Sequence, residues 1–243
     1  MEQVYLAPCT EYQYEPLKQA VDDIFDHLAL NRFLFQGANV VIKPNLLMKC
    51  NPDTAIITHP LLVAAVGTKV KELGGKPFLT DCNTLYVGSR KNALDHLETA
   101  YVNGFSPYQT GCHVLIADGL KGTDETLVPV NGEYVKEAKI GSAIMDADVF
   151  ISLTHFKGHE TAGFGGTIKN IGMGCGSRAG KMEQHCDGKP SVATEACIGC
   201  GACGRICAHG APVITDHKAK IDHDKCVGCG RCLAVCPKDA ISA

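Results

Sequence analysis

Residues 197–211 read CIGCGACGRICAHGA, and residues 226–240 read CVGCGRCLAVCPKDA. Each run spaces its four cysteines as C-x2-C-x2-C-x3-C: Cys197, Cys200, Cys203 and Cys207, then Cys226, Cys229, Cys232 and Cys236. Three thiolates at such intervals let one loop wrap three corners of a cube of iron and sulfide. The remaining corner must be closed from elsewhere, and in this spacing the last Cys of each run serves the other run's cluster. The expected ligand sets are therefore Cys197, Cys200, Cys203 and Cys236 for one [4Fe–4S] cluster, and Cys226, Cys229, Cys232 and Cys207 for the other. Zinc sites instead use C-x2-C pairs well separated in sequence, which is not the pattern here.

The spacing is that of bacterial ferredoxins. Gly199, Gly201, Gly228 and Gly230 stand between ligands, where backbone approaches sulfur and positive φ is needed. Pro237 closes the second run, whereas Ala208 stands at the matching place in the first. Between the runs, APVITDHKAKIDHDKC predicts two short strands around a turn at Asp216–Lys218. Residues 191–243 thus form an expected small α+β ferredoxin-like domain whose clusters supply much of its folding energy.

Residues 1–190 follow another pattern. Strands are expected at Val40–Ile42, Phe78–Thr80, HVLIAD and Val149–Leu153. Helices are expected from Pro60 to the Gly74–Gly75 stop, and from just after Ser89 to Gly104. Asn131–Gly132 between alternating residues signals a hairpin. Strands alternating with helices predict an α/β domain: a mostly parallel sheet with flanking helices and one hairpin.

In such sheets function sits where the strands end. Lys43, Asn45, Asp81, Asn83, Asp118, His155, Lys157 and His159 follow the predicted strands. Residues 154–181 read THFKGHETAGFGGTIKNIGMGCGSRAGK, with seven glycines between Gly163 and Gly180. A helix is expected near Ile168–Met173. The stretch fits no phosphate loop, because Cys175 and Met182 occupy positions that need Gly and Ser or Thr. H-E-x-x-H fails at Gly163, and GCGSRAG misses the dinucleotide fingerprint by one residue. The candidate acid–base residues are His155, His159 and Lys169. The candidate cofactor-binding residues are Lys43, Asn45, Gly165 and Gly166, at a junction where backbone N–H groups can hold an anion.

Composition narrows the classes. Net charge is −3, aromatic content is 6% and Trp is absent, which argues against nucleic acid and anionic membrane as partners. The first residues lack a basic segment followed by an apolar one, and no apolar run reaches membrane-spanning length, so a cytoplasmic protein is expected. Fourteen cysteines in a reducing compartment point to metal or redox chemistry. The six outside the runs, Cys9, Cys50, Cys82, Cys112, Cys175 and Cys186, read as small buried hydrophobes.

VIKPN at 41–45, THP at 58–60, the LTHFKGHETAGFGGTIKNIGMGCGSRAGK stretch and the two cysteine runs together resemble the iron–sulfur proteins carrying domain of unknown function 362. Members of that family continue past the ferredoxin module with another α/β portion, so the resemblance implies a short member or a fragment. HETAGFGGTIK is also similar to a segment of the lactate racemase family, which implies that His159 and Lys169 face a substrate or cofactor pocket. Nickel finds no further ligand here.

The leading expectation is a redox protein with two [4Fe–4S] clusters, relaying electrons to or from a site on the α/β domain. A redox partner protein and an anionic small-molecule substrate are the expected partners. The alternatives are a non-catalytic electron-transfer module that docks to a partner enzyme, and a racemase-like enzyme with structural clusters. Protein purified without oxygen should be brown and carry about eight irons per chain. Colourless, zinc-loaded protein would overturn the ligand assignment.

Overall fold

The computed structural model describes residues 4–86, 88–159, 162–186 and 188–243 and, of Cys186, the backbone alone. In chain order the elements are α1 (Tyr14–His27), β1 (Asn39–Pro44), α2 (Pro60–Glu72), β2 (Lys76–Asp81), α3 (Ala93–Val102), α4 (Pro107–Thr110) and β3 (His113–Ile116). There follow β4 (Glu125–Pro129), β5 (Glu137–Gly141), α5 (Ser142–Met145), β6 (Val149–Leu153), β7 (Lys157–His159), β8 (Gly163–Gly165), α6 (Thr167–Gly172) and α7 (Arg178–Cys186). The last elements are β9 (Ser191–Val192), α8 (Ala202–Ile206), β10 (Pro212–Thr215), β11 (Lys218–Ile221), α9 (Arg231–Val235) and β12 (Ile241–Ser242). They divide into two compact units, one of Met1–Asp81, Thr99–Leu115 and Asp146–Ile171, the other of Cys82–Glu98, Ile116–Met145 and Gly172–Ala243.

The first unit is built on a parallel sheet of four strands in the order β3-β2-β1-β6. Its central strand is apolar without alternation because both faces are covered: Val40, Val41 and Ile42 are fully buried. β1 pairs in parallel with β2 (Val41 opposite Phe78) and with β6 (Val41 opposite Phe150). Helix α2 starts at Pro60, whose missing N–H costs nothing in a first turn, and His59 Nδ1 accepts from the Leu61 N–H at 3.2 Å. It packs on α1, whose buried Leu17, Val21 and Phe25 recur at four-residue spacing.

The second unit holds the antiparallel β4–β5 pair, α7 and the cysteine-rich module. In that module β10 pairs with β11, and β12 pairs with β9 so that the two ends of the module meet. Asp216 and His217 take positive φ in the β10–β11 turn. Helices α8 and α9 pack on each other. The core beneath them contains Met182, Leu233, Ile221 and Ile241, but also Cys197 and Cys203.

Some boundaries differ from expectation. Helix α3 begins at Ala93 because Asn92 Oδ1 accepts from the Leu94 and Asp95 N–H groups, a cap that outcompetes Ser89. The β4–β5 connection runs from Val130 to Lys136, with Asn131 at φ 49°, so Asn-Gly opens a longer loop rather than a two-residue turn. Helix α1 and the small β7–β8 hairpin carry no clear sequence signal. Cys82, Cys112 and Cys175 are buried as expected, whereas Cys9 is exposed and Cys50 half-buried; the Cys186 side chain lies outside the described residues.

Because Ile42 is fully enclosed at the centre of the sheet, Ile42→Ala should lower stability by about 2–5 kcal/mol. A denaturant-unfolding midpoint compared with the native chain measures it.

Candidate functional site

The cysteines separate into two groups in space. Cys197, Cys200, Cys203 and Cys236 line one cavity. Cys207, Cys226, Cys229 and Cys232 line another. The fourth cysteine of each run therefore stands with the first three of the other. Gly199 has φ 65°, and a Cβ there would overlap the His217 carbonyl, so the first loop closes only without a side chain.

Backbone amides are aimed at sulfur. The Ala219 N–H donates to Cys197 Sγ at 3.3 Å, and the Ala240 N–H donates to Cys236 Sγ at 3.2 Å. The Ala219 and Gly199 N–H groups hold the Cys197 thiol below its ordinary range, with Lys218 adding to the effect. Burial pushes the Cys203 thiol up, and burial followed by its neighbouring thiols pushes Cys232 up to about 12. Such thiols do not ionise alone; ligation to a metal drives the deprotonation. Among the described residues no group of three His, Cys, Asp or Glu converges on a single ion, and the thiols instead stand around cavity walls. Two four-thiol cavities, the first with N–H donors aimed at sulfur, fit iron–sulfur clusters.

A second polar site lies in the first unit, at the C-terminal ends of β1, β2 and β6. Chain order departs to opposite sides of the sheet from β1, toward β2 on one side and β6 on the other, and ligands of open α/β sheets bind at such a point. Lys43, buried to 1% exposure, pairs with Asp81 Oδ1 at 3.0 Å and donates to Asn170 Oδ1 at 3.0 Å. Asn45 Nδ2 donates to the same oxygen at 3.1 Å. The Asn170 Nδ2 group donates to Lys43 O at 3.1 Å, Thr154 Oγ1 at 2.9 Å and Ser152 Oγ at 3.3 Å. Thr58 Oγ1 donates to Leu153 O at 2.7 Å and accepts from the Asn45 N–H, while Asn45 Oδ1 accepts from the His155 N–H at 2.6 Å. One buried amide thus ties three chain segments together.

His155 and Lys157, both half-buried, follow the end of β6. Lys157 Nζ donates to His155 O at 3.1 Å and makes no ion pair among the described residues. Burial lowers its pKa, and the nearby Lys43 charge lowers it further. Burial, then Lys157, also lowers that of His155, whose buried Nδ1 has no hydrogen-bond partner among the described residues.

Of the residues singled out in the sequence, Lys43, Asn45, Asp81, His155 and Lys157 meet here. His159 sits in β7, its Nδ1 accepting from the Ala162 N–H at 3.2 Å within its own hairpin. Lys169 is exposed on α6, and Gly165 is buried below its stem while Gly166 lies against Phe156. Glu160 and Thr161 of the quoted motif lie outside the described residues. Asn83 and Asp118 bond to each other in the second unit, where the Asn83 N–H and Nδ2 both donate to Asp118 Oδ1. Sequence reasoning chose Lys169 and passed over its neighbour Asn170. The available signal was geometric: successive helical residues point about 100° apart, so only one of the two faces the sheet.

Residues 196–240 match the 4Fe-4S dicluster domain, so the chain contains an iron–sulfur domain of that class. Residues 40–200 match the Domain of unknown function (DUF362), and the chain belongs to that family. It is 31% identical over 146 residues to the "Thylakoid-associated protein sll1697" of Synechocystis sp. (strain ATCC 27184 / PCC 6803 / Kazusa). The match covers 60% of this chain and 41% of that protein.

Cys197→Ser and Cys236→Ser should damage the same centre, so the double variant should lose no more iron than the worse single one. Cys226→Ser combined with Cys236→Ser should strip both. Iron analysis with EPR of the reduced protein reads the difference.

Proposed function

We propose that this chain is an iron–sulfur redox protein with two [4Fe–4S] clusters, and that it exchanges electrons with a small anionic substrate bound at the Lys43–Asn170 edge of its sheet. The observation that carries the first part is the crossed grouping of the eight run cysteines into two four-thiol cavities. Bound clusters supply one-electron transfer. Residues 191–243 are the proposed electron-carrying domain and residues 1–190 the proposed substrate domain.

The second part rests on charge. Lys43 is neutralised by Asp81, but Lys157 beside it has no carboxylate among the described residues. A half-buried ammonium that meets no carboxylate among the described residues attracts an oxyanion strongly, because little water screens it. His155, held neutral, accepts a proton from a substrate that is losing electrons and returns it in the reverse direction. Asn45 and Thr58 hold the His155 backbone and the end of β6 in place.

A docking role without catalysis is the second reading. It is favoured by Phe156 and Phe164, exposed and stacked at 5.4 Å. Among the described residues no helix is long and apolar enough to cross a membrane. The cysteine content supports a reducing, cytoplasmic location.

The test is to reduce the clusters anaerobically and follow their reoxidation by a panel of small carboxylates and phosphates. An acceptor should speed reoxidation of the native protein, and Lys157→Met should slow it about tenfold or more while leaving the cluster EPR unchanged. Binding should weaken as pH rises, beginning below the ordinary lysine range, since the lowered Lys157 pKa sheds the charge early. Reoxidation indifferent to Lys157 and to every small anion, but accelerated by a protein acceptor, would select the docking reading.

A further inference from the structure

The glycine-rich stretch contains a charge that neither site above uses. Arg178, first residue of α7, has no exposed surface at all. Its guanidinium donates to three backbone carbonyls: Lys121 O at 3.1 Å, Thr84 O at 2.8 Å, and Lys91 O. Its stem lies directly behind the second cysteine loop. Gly230 has φ 67° and lines the cavity of Cys207, Cys226, Cys229 and Cys232; a Cβ added to it would lie 2.6 Å from Arg178 Cγ and closer still to Cδ. The backbone between Cys229 and Cys232 is therefore packed on a buried arginine. Asp118 is near as well, because a Cβ at Gly122 would meet Arg178 Nε at 2.9 Å and Asp118 Oδ2 at 3.0 Å. Lys181 adds a second cation beside that carboxylate.

The first cysteine run provides a contrast within the same chain. Gly201, at the place matching Gly230, has Arg205 Nη1 as its neighbour, 3.3 Å from where a Cβ would be. Arg205 is exposed and donates to Cys200 O at 3.0 Å. Each loop thus has an arginine against its glycine, one in water and one in the interior. Solvent screens the first, whereas the second acts through a medium of low dielectric.

We propose that Arg178 is a fixed positive charge set behind the Cys229–Cys232 loop, and that it raises the reduction potential of the cluster held by Cys207, Cys226, Cys229 and Cys232 above that of its twin. Reduction adds one electron to a centre already negative from four thiolates, and a buried cation favours the more negative state. Arg178 is a positioning and tuning residue, not a ligand. The inference rests on the two-cluster reading above.

The experiment is an EPR-monitored redox titration of anaerobically purified full-length protein, native and variant, with iron counted in each. Arg178→Gln should move one midpoint to lower potential and leave the other in place. Arg205→Gln should move neither by a comparable amount. Asp118→Asn, which removes the opposing charge, should move the Arg178-sensitive midpoint the other way; a merely structural role would not give opposite signs. Arg178→Gln with full iron and unmoved midpoints overturns the proposal, as does an equal shift in Arg205→Gln. If Arg178→Gln fails to hold its clusters, Asp118→Asn decides: an upward shift of one midpoint supports the proposal, and none overturns it. Native protein with iron for a single cluster overturns the two-cluster reading itself, whereas full iron with unmoved midpoints overturns only the role of Arg178.

Discussion

Thiols occupy places in the second unit where a protein of its size would otherwise put large hydrophobes. The core around Met182, Leu233, Ile221 and Ile241 is completed by alanines and by Cys197 and Cys203, with Cys207, Cys226, Cys232 and Cys236 packed against it. A module so short buries too little apolar surface to hold itself together. The crossed grouping of cysteines makes its two halves depend on each other instead: neither run completes a cavity alone. The β9–β12 pair, two residues long on each strand, closes the ends but contributes few hydrogen bonds. The shared cysteine cavities, more than strand pairing, make the halves interdependent.

In the first unit the corresponding role falls to one amide. Asn170 offers an acceptor and two donors in a buried place, and all are used, between Lys43, Asn45, Ser152 and Thr154. A leucine there would leave the Lys43 ammonium with Asp81 and Pro44 O alone. Leaving buried polar groups without their hydrogen-bond partner costs about 1–3 kcal/mol each. The groups around Asn170 therefore hold one another in place.

What the sequence made legible follows from how local each signal is. The C-x2-C-x2-C-x3-C spacing is a statement about covalent reach, so the cysteine grouping could be read without coordinates. The central strand β1 was equally plain, since Val40, Val41 and Ile42 interrupt any alternation. Helix ends that depend on a side-chain cap were less so: Asn92 and Ser89 are both good caps, and only packing chooses between them. Asn170 and Arg178 were hidden for a stronger reason. Their partners lie far away in sequence, at Lys43 and Asn45 for one, at Thr84, Lys91 and Lys121 for the other. Arg178 was also disguised, because GCGSRAGK invites comparison with phosphate loops that it does not match.

The glycine-rich stretch gains a physical meaning from these two residues. The first unit's last segment ends at Ile171, just past Asn170, and the second unit resumes at Gly172, ahead of Arg178. Both lie in surroundings that bury cations: Lys43 in one unit, Arg178 and Lys181 in the other. Burying a cation costs free energy that its own hydrogen bonds only partly offset. Among the described residues, Asp81 pairs with Lys43 in the first unit, while Arg178 and Lys181 both act on Asp118 in the second. Burial alone would favour the neutral form of each partner, and the opposite charge beside it works against that. In both units the glycine-rich stretch therefore supplies groups that a buried ion requires: Asn170 for Lys43, and Arg178 with Lys181 for Asp118.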